Sequence, residues 1–367
     1  MTSRVVPTGF RRFSATAGKT KAADAVSGGT SGVGSRRPQK LPSFKVRGLG
    51  DAMDHAVHMV RSHDPSGFLP GRLLPTTDMK ETYYAVRSFW VETGLRFGTT
   101  ANVPPHSSPA EHLRWWQDAI NHVYNDQEGL PDTEPSDPVQ PRADQSWDHP
   151  TLELLQKVVS KHNLSKHHFD DVLRGRLQDL DLKQYKTLDD LVSHAELSCG
   201  SLLDLVLESG DVRSPEAFQA ARALGIAHGL TNALRLSIPV MSTTGKLIIP
   251  EELCVKHGVE SPRYLLSALG MGDEKGRLAL QAAVQDIATE ARRHLGEARE
   301  LRETLLEQPD GNKAVAAMLP GLASETFLDR LGEKEFNLTD RNLRNVGLFE
   351  QTACAAKMVG AYFRRQY

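Results

Sequence analysis

The sequence has few cysteines and no long apolar run. Of its 367 residues three are cysteines, and Cys199, Cys254 and Cys354 show no CxxC spacing. This pattern argues against a zinc knuckle or a disulfide framework and favours three buried thiols. No apolar segment approaches the roughly 20 residues that a membrane-spanning helix needs, so we do not expect an integral membrane protein.

The excess of basic residues that nucleic-acid-binding proteins usually carry is also absent. The chain has 44 lysines and arginines against 46 aspartates and glutamates, which gives a formal net charge of −2. A protein of this charge displaces few counterions from a phosphate backbone, so no nucleic-acid partner is expected. GxGxxG, Walker and GxSxG motifs are missing as well, and with them the usual signs of a dinucleotide, P-loop or hydrolase site.

The charge is unevenly distributed, because residues 1–50 are strongly basic. They contain ten lysines or arginines and a single acid, Asp24, among many Ser, Thr, Ala and Gly residues. Arg-rich, Ser-rich and acid-poor composition is typical of a mitochondrial transit peptide, and residues 11–15 (RRFSA) look like a matrix-peptidase cleavage region. We therefore predict that residues 1–50 are a transit peptide and a disordered basic linker. A basic tail without a targeting role is the alternative.

Residues 51–367 are predicted to form one all-α domain. Ser-Pro pairs at 108–109, 214–215 and 261–262 mark helix starts, because serine is a good N-cap and proline suits the first helical position. Behind such starts apolar residues recur at spacings of three and four. The predicted helices are 79–97, 109–125, 150–161, 166–180, 188–208, 215–236, 262–269, 275–307, 324–331 and 344–363. The run 246–249 resembles a strand but is too short to found a sheet.

One segment breaks this helical pattern. Residues 126–149 contain four prolines, seven acids and few aliphatic side chains. Such a composition favours an exposed acidic loop over a helix or a core segment. Because the apolar pattern resumes directly after it, we place this loop within the single domain of residues 51–367.

Several motifs, taken in order, resemble the squalene/phytoene synthase family. They are LRWWQDAINHVY at 113–124, HAELSCGSLLDLVLE at 194–208 and GIAHGLTNALR at 225–235. The second is similar to the family's AExTxGSLxxLxLE helix, and the third to its GxAxxLTNxLR helix. The resemblance covers roughly residues 75–335. It implies a single large helical domain of the isoprenoid synthase type, in which helices surround a central cavity.

Active members of this family hold two prenyl diphosphates through magnesium ions, which two DxxxD motifs bind. The i, i+4 spacing puts both carboxylates of a motif on one helix face. At the first motif this chain offers Glu92 followed by Arg96, and at the second it has Leu236 and Val240. The resemblance therefore implies two degenerate acidic motifs, with no catalytic residue, metal or cofactor. The residues that it places along the cavity are Phe89, Ser201, Asn232 and Arg235.

The sequence looks most like a branch of the family that lacks these acids and carries a mitochondrial presequence. Members of that branch are non-catalytic assembly factors for respiratory complex I, the NADH:ubiquinone oxidoreductase. For this chain the resemblance implies a peripheral protein on the matrix side of the mitochondrial inner membrane. Its partners would be complex I subunits or other assembly factors, and its cavity could hold a lipid. Two alternatives stay open: an active isoprenoid prenyl transferase, and an assembly factor for another mitochondrial complex such as the ribosome.

Other polar groupings have a simpler interpretation. Asp204 and Glu208 are spaced four apart, and such acids usually lie on a solvated helix face beside lysine or arginine. His162, His167 and His168 flank a predicted turn and lack the i, i+4 geometry of a helical zinc site. We expect solvent-exposed polar side chains at all five positions.

Overall fold

In the computed structural model, the regular secondary structure of the described residues is helical. The described residues are 48–94, 108–128, 147–259, 274–340, 343 and 348–367, and no β-strand occurs among them. The predicted all-α class is thereby confirmed. Residues 246–249, which resemble a strand in sequence, form an irregular connection between two helices.

Fifteen α-helices have their bounds within the described ranges. In chain order they are α1 (Gly48–His63), α2 (Pro65–Leu73), α3 (Thr77–Gly94), α4 (Pro109–Glu128), α5 (Pro150–His162), α6 (Lys166–Asp181), α7 (Leu188–Ala195), α8 (Ser201–Ser209), α9 (Pro215–Thr244), α10 (Glu251–His257), α11 (Glu274–Glu300), α12 (Arg302–Leu306), α13 (Gly311–Ala317), α14 (Pro320–Glu333) and α15 (Leu348–Phe363). A π-helical turn, Glu196–Gly200, joins α7 to α8 without a break. None of the helices within these ranges combines the length and apolarity that a bilayer crossing needs.

Proline and capping signals located several helix starts correctly. Helices α4, α5 and α9 begin at Pro109, Pro150 and Pro215, as predicted. Before α9, the Ser214 hydroxyl accepts a hydrogen bond of 3.2 Å from the backbone N–H of Ala217. This bond satisfies one of the amide groups that every helix N-terminus leaves without an intrahelical partner.

Where the helices differ from prediction, short or interrupted patterns explain several of the differences. Helices α1, α2, α10 and α13 were not predicted; α2 contains Pro70, and α10 and α13 have seven residues each, too few for a repeating apolar pattern. The predicted helix 275–307 is divided into α11 and α12 at Leu301. The predicted helix 262–269 lies outside the described residues.

Three further predictions concern residues that lie mostly beyond the described ranges. The first is the transit peptide and linker, of which residues 1–47 are not described. The second is the acidic loop, of which residues 129–146 are not described, and the third is Arg96. Where they are described, residues 48–50 belong to α1 and residues 126–128 to α4, so the bounds predicted for the linker and the loop were wrong there. The division of the chain near residue 50 and the exposure of the acidic loop therefore stay predictions.

The described helices belong to one unit, Val46–Tyr367, in which α9 is the central element. This 30-residue helix packs against α7, α8, α11 and α14, while α3 packs against α1, α5 and α8. In the core around α3, the ring of Phe89 meets those of Trp116 and Phe169 edge to face, at centroid distances of 5.3 and 5.4 Å. Burial of side chains of this size contributes about 1.5–3 kcal/mol each.

Helix α9 comes very close to the π-helical turn. A Cβ atom on Gly225 would stand 2.4 Å from Gly200 Cα and 2.5 Å from Gly200 N, so this crossing requires glycine. One turn further along α9, a Cβ atom on Gly229 would stand 2.5 Å from Ala195 Cβ. The π turn holds one residue more than a regular α-helical turn, so it also determines which side of α8 faces each neighbour.

Candidate functional site

Glu92 of α3 lies at the centre of a buried polar cluster, with 1% of the residue exposed. His55 Nε2 lies 3.0 Å from one carboxylate oxygen, Oε1, and His149 Nε2 lies 3.0 Å from the other, Oε2. The hydroxyl groups of Thr151 and Ser88 donate hydrogen bonds of 2.6 and 3.0 Å to Oε1. Both carboxylate oxygens therefore have partners within the protein.

Four helices bring these groups together. Ser88 stands one turn before Glu92 on α3, whereas His149 is the N-cap of α5 and Thr151 belongs to the first turn of α5. A carboxylate beside a helix N-terminus is stabilised by the helix dipole. On α4, His112 Nε2 lies 3.0 Å from the backbone oxygen of Glu92. With His55 on α1, the Glu92 cluster joins α1, α3, α4 and α5.

These surroundings hold the Glu92 carboxylate in its ionised form. Burial alone would raise its pKa, but the charge of His149 and hydrogen bonds from His149, His55 and Thr151 hold the pKa of Glu92 well below its ordinary value. Three of its four contacts, from His55, Ser88 and Thr151, fall on Oε1, and the fourth, from His149, falls on Oε2. One carboxylate among imidazole and hydroxyl groups is not the set of several oxygen ligands that magnesium prefers. Within the described residues, no three His, Cys, Asp or Glu side chains are arranged to hold a metal ion.

A second buried cluster is centred on Arg87, about one turn earlier on α3. Its guanidinium pairs with Asp64, the N-cap residue of α2: Arg87 Nε donates a hydrogen bond of 2.8 Å to Oδ2, which Nη2 also contacts. The rings of Tyr83 and Trp90 flank the guanidinium at 5.7 and 5.5 Å. Because both charged groups are buried, loss of either one would leave an uncompensated charge inside the protein.

Asn232 and Arg235 of α9 extend the Arg87 cluster. Arg235 Nη1 donates hydrogen bonds of 3.0 Å to Asn232 Oδ1 and 3.1 Å to Ser66 Oγ. The Ser66 hydroxyl in turn donates a 2.9 Å bond to Asp64. On the other side, the Arg235 guanidinium lies 5.0 Å from the centre of the Phe327 ring of α14. The structure thus brings two of the residues predicted from the resemblance into direct contact.

The other predicted site residues lie in different surroundings. Leu236 is 46% exposed, and Val240, one turn later on α9, is half-buried. Phe89 is fully buried in the aromatic core, and Ser201 is buried at the start of α8. Arg96 lies outside the described residues. That these side chains line one cavity stays a prediction.

The prediction that Asp204 and Glu208 lie on a solvated face was wrong. They are 5% and 4% exposed, and the two ring nitrogens of His168 lie 3.8 Å from Asp204 Oδ2 and 3.9 Å from Glu208 Oε1. His168 and the side chain of His162 are buried as well, at 7% and 8% exposure, whereas His167 is exposed as predicted. The physical reason is that α8 has no solvated face, since all nine of its residues are buried.

The two acids of α8 have different roles. Glu208 accepts hydrogen bonds of 2.8 and 2.5 Å from the backbone N–H and hydroxyl of Ser165, and so caps α6. Asp204 Oδ1 finds no hydrogen-bond partner among the described residues, and burial raises the pKa of Asp204 to about 7. A sequence signal for this burial exists: residues 202–207 (LLDLVL) are apolar on every side of Asp204, as in a helix buried all round.

Comparison with known proteins assigns this arrangement to a family. The family model described as squalene/phytoene synthase matches residues 60–348. NADH dehydrogenase (ubiquinone) complex I, assembly factor 6 of Homo sapiens is 26% identical over 318 residues, which are 84% of this chain and 85% of the human protein. The homolog of that factor in Drosophila melanogaster is 28% identical, over 83% of this chain and 82% of its own length.

The fold has counterparts among solved structures. A dehydrosqualene synthase crystallised with a ligand superimposes with a TM-score of 0.63 at 19% identity, covering 86% of this chain and 98% of that protein. At this level of identity the likeness concerns the fold alone. Since the family model spans residues 60–348, more than three quarters of the sequence, the chain belongs to the squalene/phytoene synthase family.

Proposed function

We propose that this chain is a non-catalytic assembly factor for mitochondrial respiratory complex I, built on a prenyl synthase fold. Relatives that match most of its length carry the name complex I assembly factor 6. The observation that carries the non-catalytic part is the Glu92 cluster. There a carboxylate at an expected metal-binding position is bound by His55, His149, Ser88 and Thr151 instead of by further acids.

The chemistry of prenyl transfer supports the same proposal. Departure of a diphosphate group requires bound cations that stabilise the developing negative charge. The aliphatic side chains of Leu236 and Val240 offer no oxygen to a cation, and both oxygens of Glu92 already have partners within the protein. A protein with these side chains keeps the fold but lacks the carboxylates that would hold the cations needed for the reaction.

The proposal includes a location and partners. After removal of a transit peptide within residues 1–50, the protein acts on the matrix side of the inner membrane as a peripheral protein. It contacts complex I subunits or other assembly factors there. Deletion of the gene is expected to lower assembled complex I on native gels while the other respiratory complexes stay near normal. Selective loss of mitochondrial ribosomes instead would assign the protein to a different assembly.

The Glu92→Gln variant separates a structural role from a catalytic one. Loss of the buried charge leaves the two histidines without their anion and destabilises the fold by about 3 kcal/mol. The matched control is Phe169→Ala, which removes a fully buried ring outside the cluster at a cost of about 3–5 kcal/mol. In rescued deletion cells, assembled complex I should follow the amount of folded protein equally for both variants.

A catalytic Glu92 would give a different result. Glu92→Gln would then abolish complex I assembly even where its folded amount equals that of Phe169→Ala. The purified wild-type protein would also release diphosphate from farnesyl diphosphate in the presence of magnesium, and Glu92→Gln would not. Either observation contradicts the proposal.

A further inference from the structure

Helix α15 presents an apolar face to solvent. Five large apolar side chains are exposed in the described part of the chain, and two of them, Val359 and Phe363, stand one turn apart on this helix. Phe363 is 77% exposed and Val359 is 36% exposed. Ala353 and Ala356 are exposed as well, and spacings of three and four residues place all four side chains on one side of the helix. The exposed side of α15 is therefore largely apolar, whereas surface helices usually turn polar side chains outward.

The opposite side of α15 is buried. Met358 and Ala361 are each 3% exposed and belong to one apolar cluster with Leu322 of α14 and Leu69 of α2. Beyond the helix, the hydroxyl of Tyr367 donates a hydrogen bond of 2.6 Å to a backbone oxygen of α11. These contacts hold α15 to the neighbouring helices, so its exposed side is a fixed part of the surface.

Positive charge borders this apolar face. Residues 352–367 contain three basic side chains and neither aspartate nor glutamate. Lys357 forms an ion pair within the protein, but among the described residues no carboxylate pairs with Arg364 or Arg365, which are both exposed. The guanidinium of Arg364 lies against the apolar face, because a Cβ atom on Gly360 would stand 3.2 Å from its Nη1. Apolar and cationic groups thus share one surface.

The charges indicate what can cover this face. A second copy of the chain would offer these arginines no partner from the same surface, since residues 352–367 and the neighbouring α2 contain no acid. Helix α2 also carries an exposed cation, Arg72. A phospholipid surface complements both features, because anionic head groups attract arginine and the hydrocarbon beneath them takes up apolar side chains. With 16 residues, α15 is shorter than the roughly 20 that cross a bilayer, so it would lie along the surface.

We propose that α15 attaches the protein to the surface of an anionic phospholipid bilayer. Phe363 and Val359 enter the boundary between head groups and acyl chains, and Arg364 and Arg365 contact phosphate groups of the lipids. The inference rests on the peripheral membrane location in the proposed function and names the surface that makes the contact. A single aromatic ring with a few charges gives a weak attachment that high salt should reverse.

A probe at position 363 tests this contact. In the purified full-length chain, Phe363→Trp is mixed with vesicles of phosphatidylglycerol and phosphatidylcholine whose acyl chains carry bromine, a quencher of tryptophan. Its emission in excess of the wild type should shift to shorter wavelength and lose intensity, and high salt should reverse both changes. The matched control is Val255→Trp on α10, where the replaced side chain is also 77% exposed and no change is expected. Because each probe reports its own position, attachment through the basic residues 1–50 would not mimic the result.

A second variant tests the attachment in mitochondria. Phe363→Ser removes a ring that is mostly exposed, so the variant should fold with the melting temperature of the wild type. In rescued deletion cells, its ratio of membrane-bound to soluble protein should fall at least about tenfold, since transfer of one phenylalanine side chain from water accounts for that difference. The matched control, Val255→Ser, should keep the wild-type ratio.

Three results would overturn the inference. They are an unquenched probe at position 363, equal quenching by vesicles of phosphatidylcholine alone, and equal membrane binding by Phe363→Ser and the wild type. An unquenched probe, together with loss of binding to a complex I subunit or of self-association in Phe363→Ser, would assign the face to a protein partner or to a second copy instead.

The same measurements separate this inference from the proposed function, because contact with vesicles requires neither import nor complex I. A quenched probe combined with normal complex I after deletion of the gene would refute the proposed function alone. An unquenched probe combined with lowered complex I would refute the attachment through α15 alone.

Discussion

Replacement of Gly225 by alanine probes how closely α9 must approach the π-helical turn. The new Cβ atom would stand 2.4 Å from Gly200 Cα and 2.9 Å from the carbonyl carbon of Cys199, whereas ordinary contact begins at 3.4 Å. The two segments would have to separate by at least 3.4 − 2.4 = 1.0 Å. All of these contacting atoms belong to the backbone, so no side-chain rotation can relieve the clash.

The expected loss of stability follows from two opposing effects. Overpacking in a close-packed interior costs about 1–3 kcal/mol. We expect about 3 kcal/mol here, because the new Cβ atom meets backbone that cannot move aside as a side chain can. Alanine in a helix interior regains about 1 kcal/mol relative to glycine. The Gly225→Ala variant should therefore unfold with a free energy about 2 kcal/mol below that of the wild type.

Urea unfolding followed by far-ultraviolet circular dichroism measures this difference. The matched control is Gly296→Ala in α11, where no atom of the described part of the chain lies within 4 Å of the new Cβ atom. There only the helix propensity changes, so a gain of about 0.5–1 kcal/mol is expected. If both variants gained stability to the same extent, the close crossing of α9 and the π turn would be refuted.

Two further predictions concern titration and import. Burial raises the pKa of Asp204 from 3.8 to about 7, so its contribution to stability is present below pH 3.8 and is lost as pH rises to about 7. The loss amounts to about 1.4 kcal/mol per pH unit. Asp204→Asn should remove this slope in melting temperatures measured from acid to neutral pH; an unchanged slope would contradict the assignment. Charge reversal at Arg4, Arg11 and Arg12 should block import into isolated mitochondria, and normal import of that variant would exclude the transit peptide.

The helix boundaries that the sequence revealed depend on contacts between near neighbours. Ser214 caps α9 through Ala217, three residues away. At the start of α7, Thr187 and Asp190 exchange hydrogen bonds of 3.1 and 3.0 Å in a capping box. Such signals are readable because both partners lie within one turn of the chain. For the same reason the all-α class follows from local periodicity.

The polar clusters could not be predicted in this way. Asp64 and Arg87 are 23 residues apart, and Ser66 and Arg235 are 169 residues apart, so their pairing depends on how the helices pack. A family resemblance pointed to Glu92 as a remnant of a metal site, but not to the two histidines that bind it. Those histidines come from α1, which was not predicted, and from the residue just before α5.

Because of the π-helical turn, the orientation of α8 depends on the number of residues in this segment as well as on their identity. Deletion of one residue within 196–200 would restore regular α geometry and rotate all of α8 by about 100°. Asp204 and Glu208 would then turn away from His168, and α6 would lose the cap that Glu208 provides at Ser165. Substitutions in the turn act on one side chain at a time, whereas a change of its length alters the partners of every residue in α8.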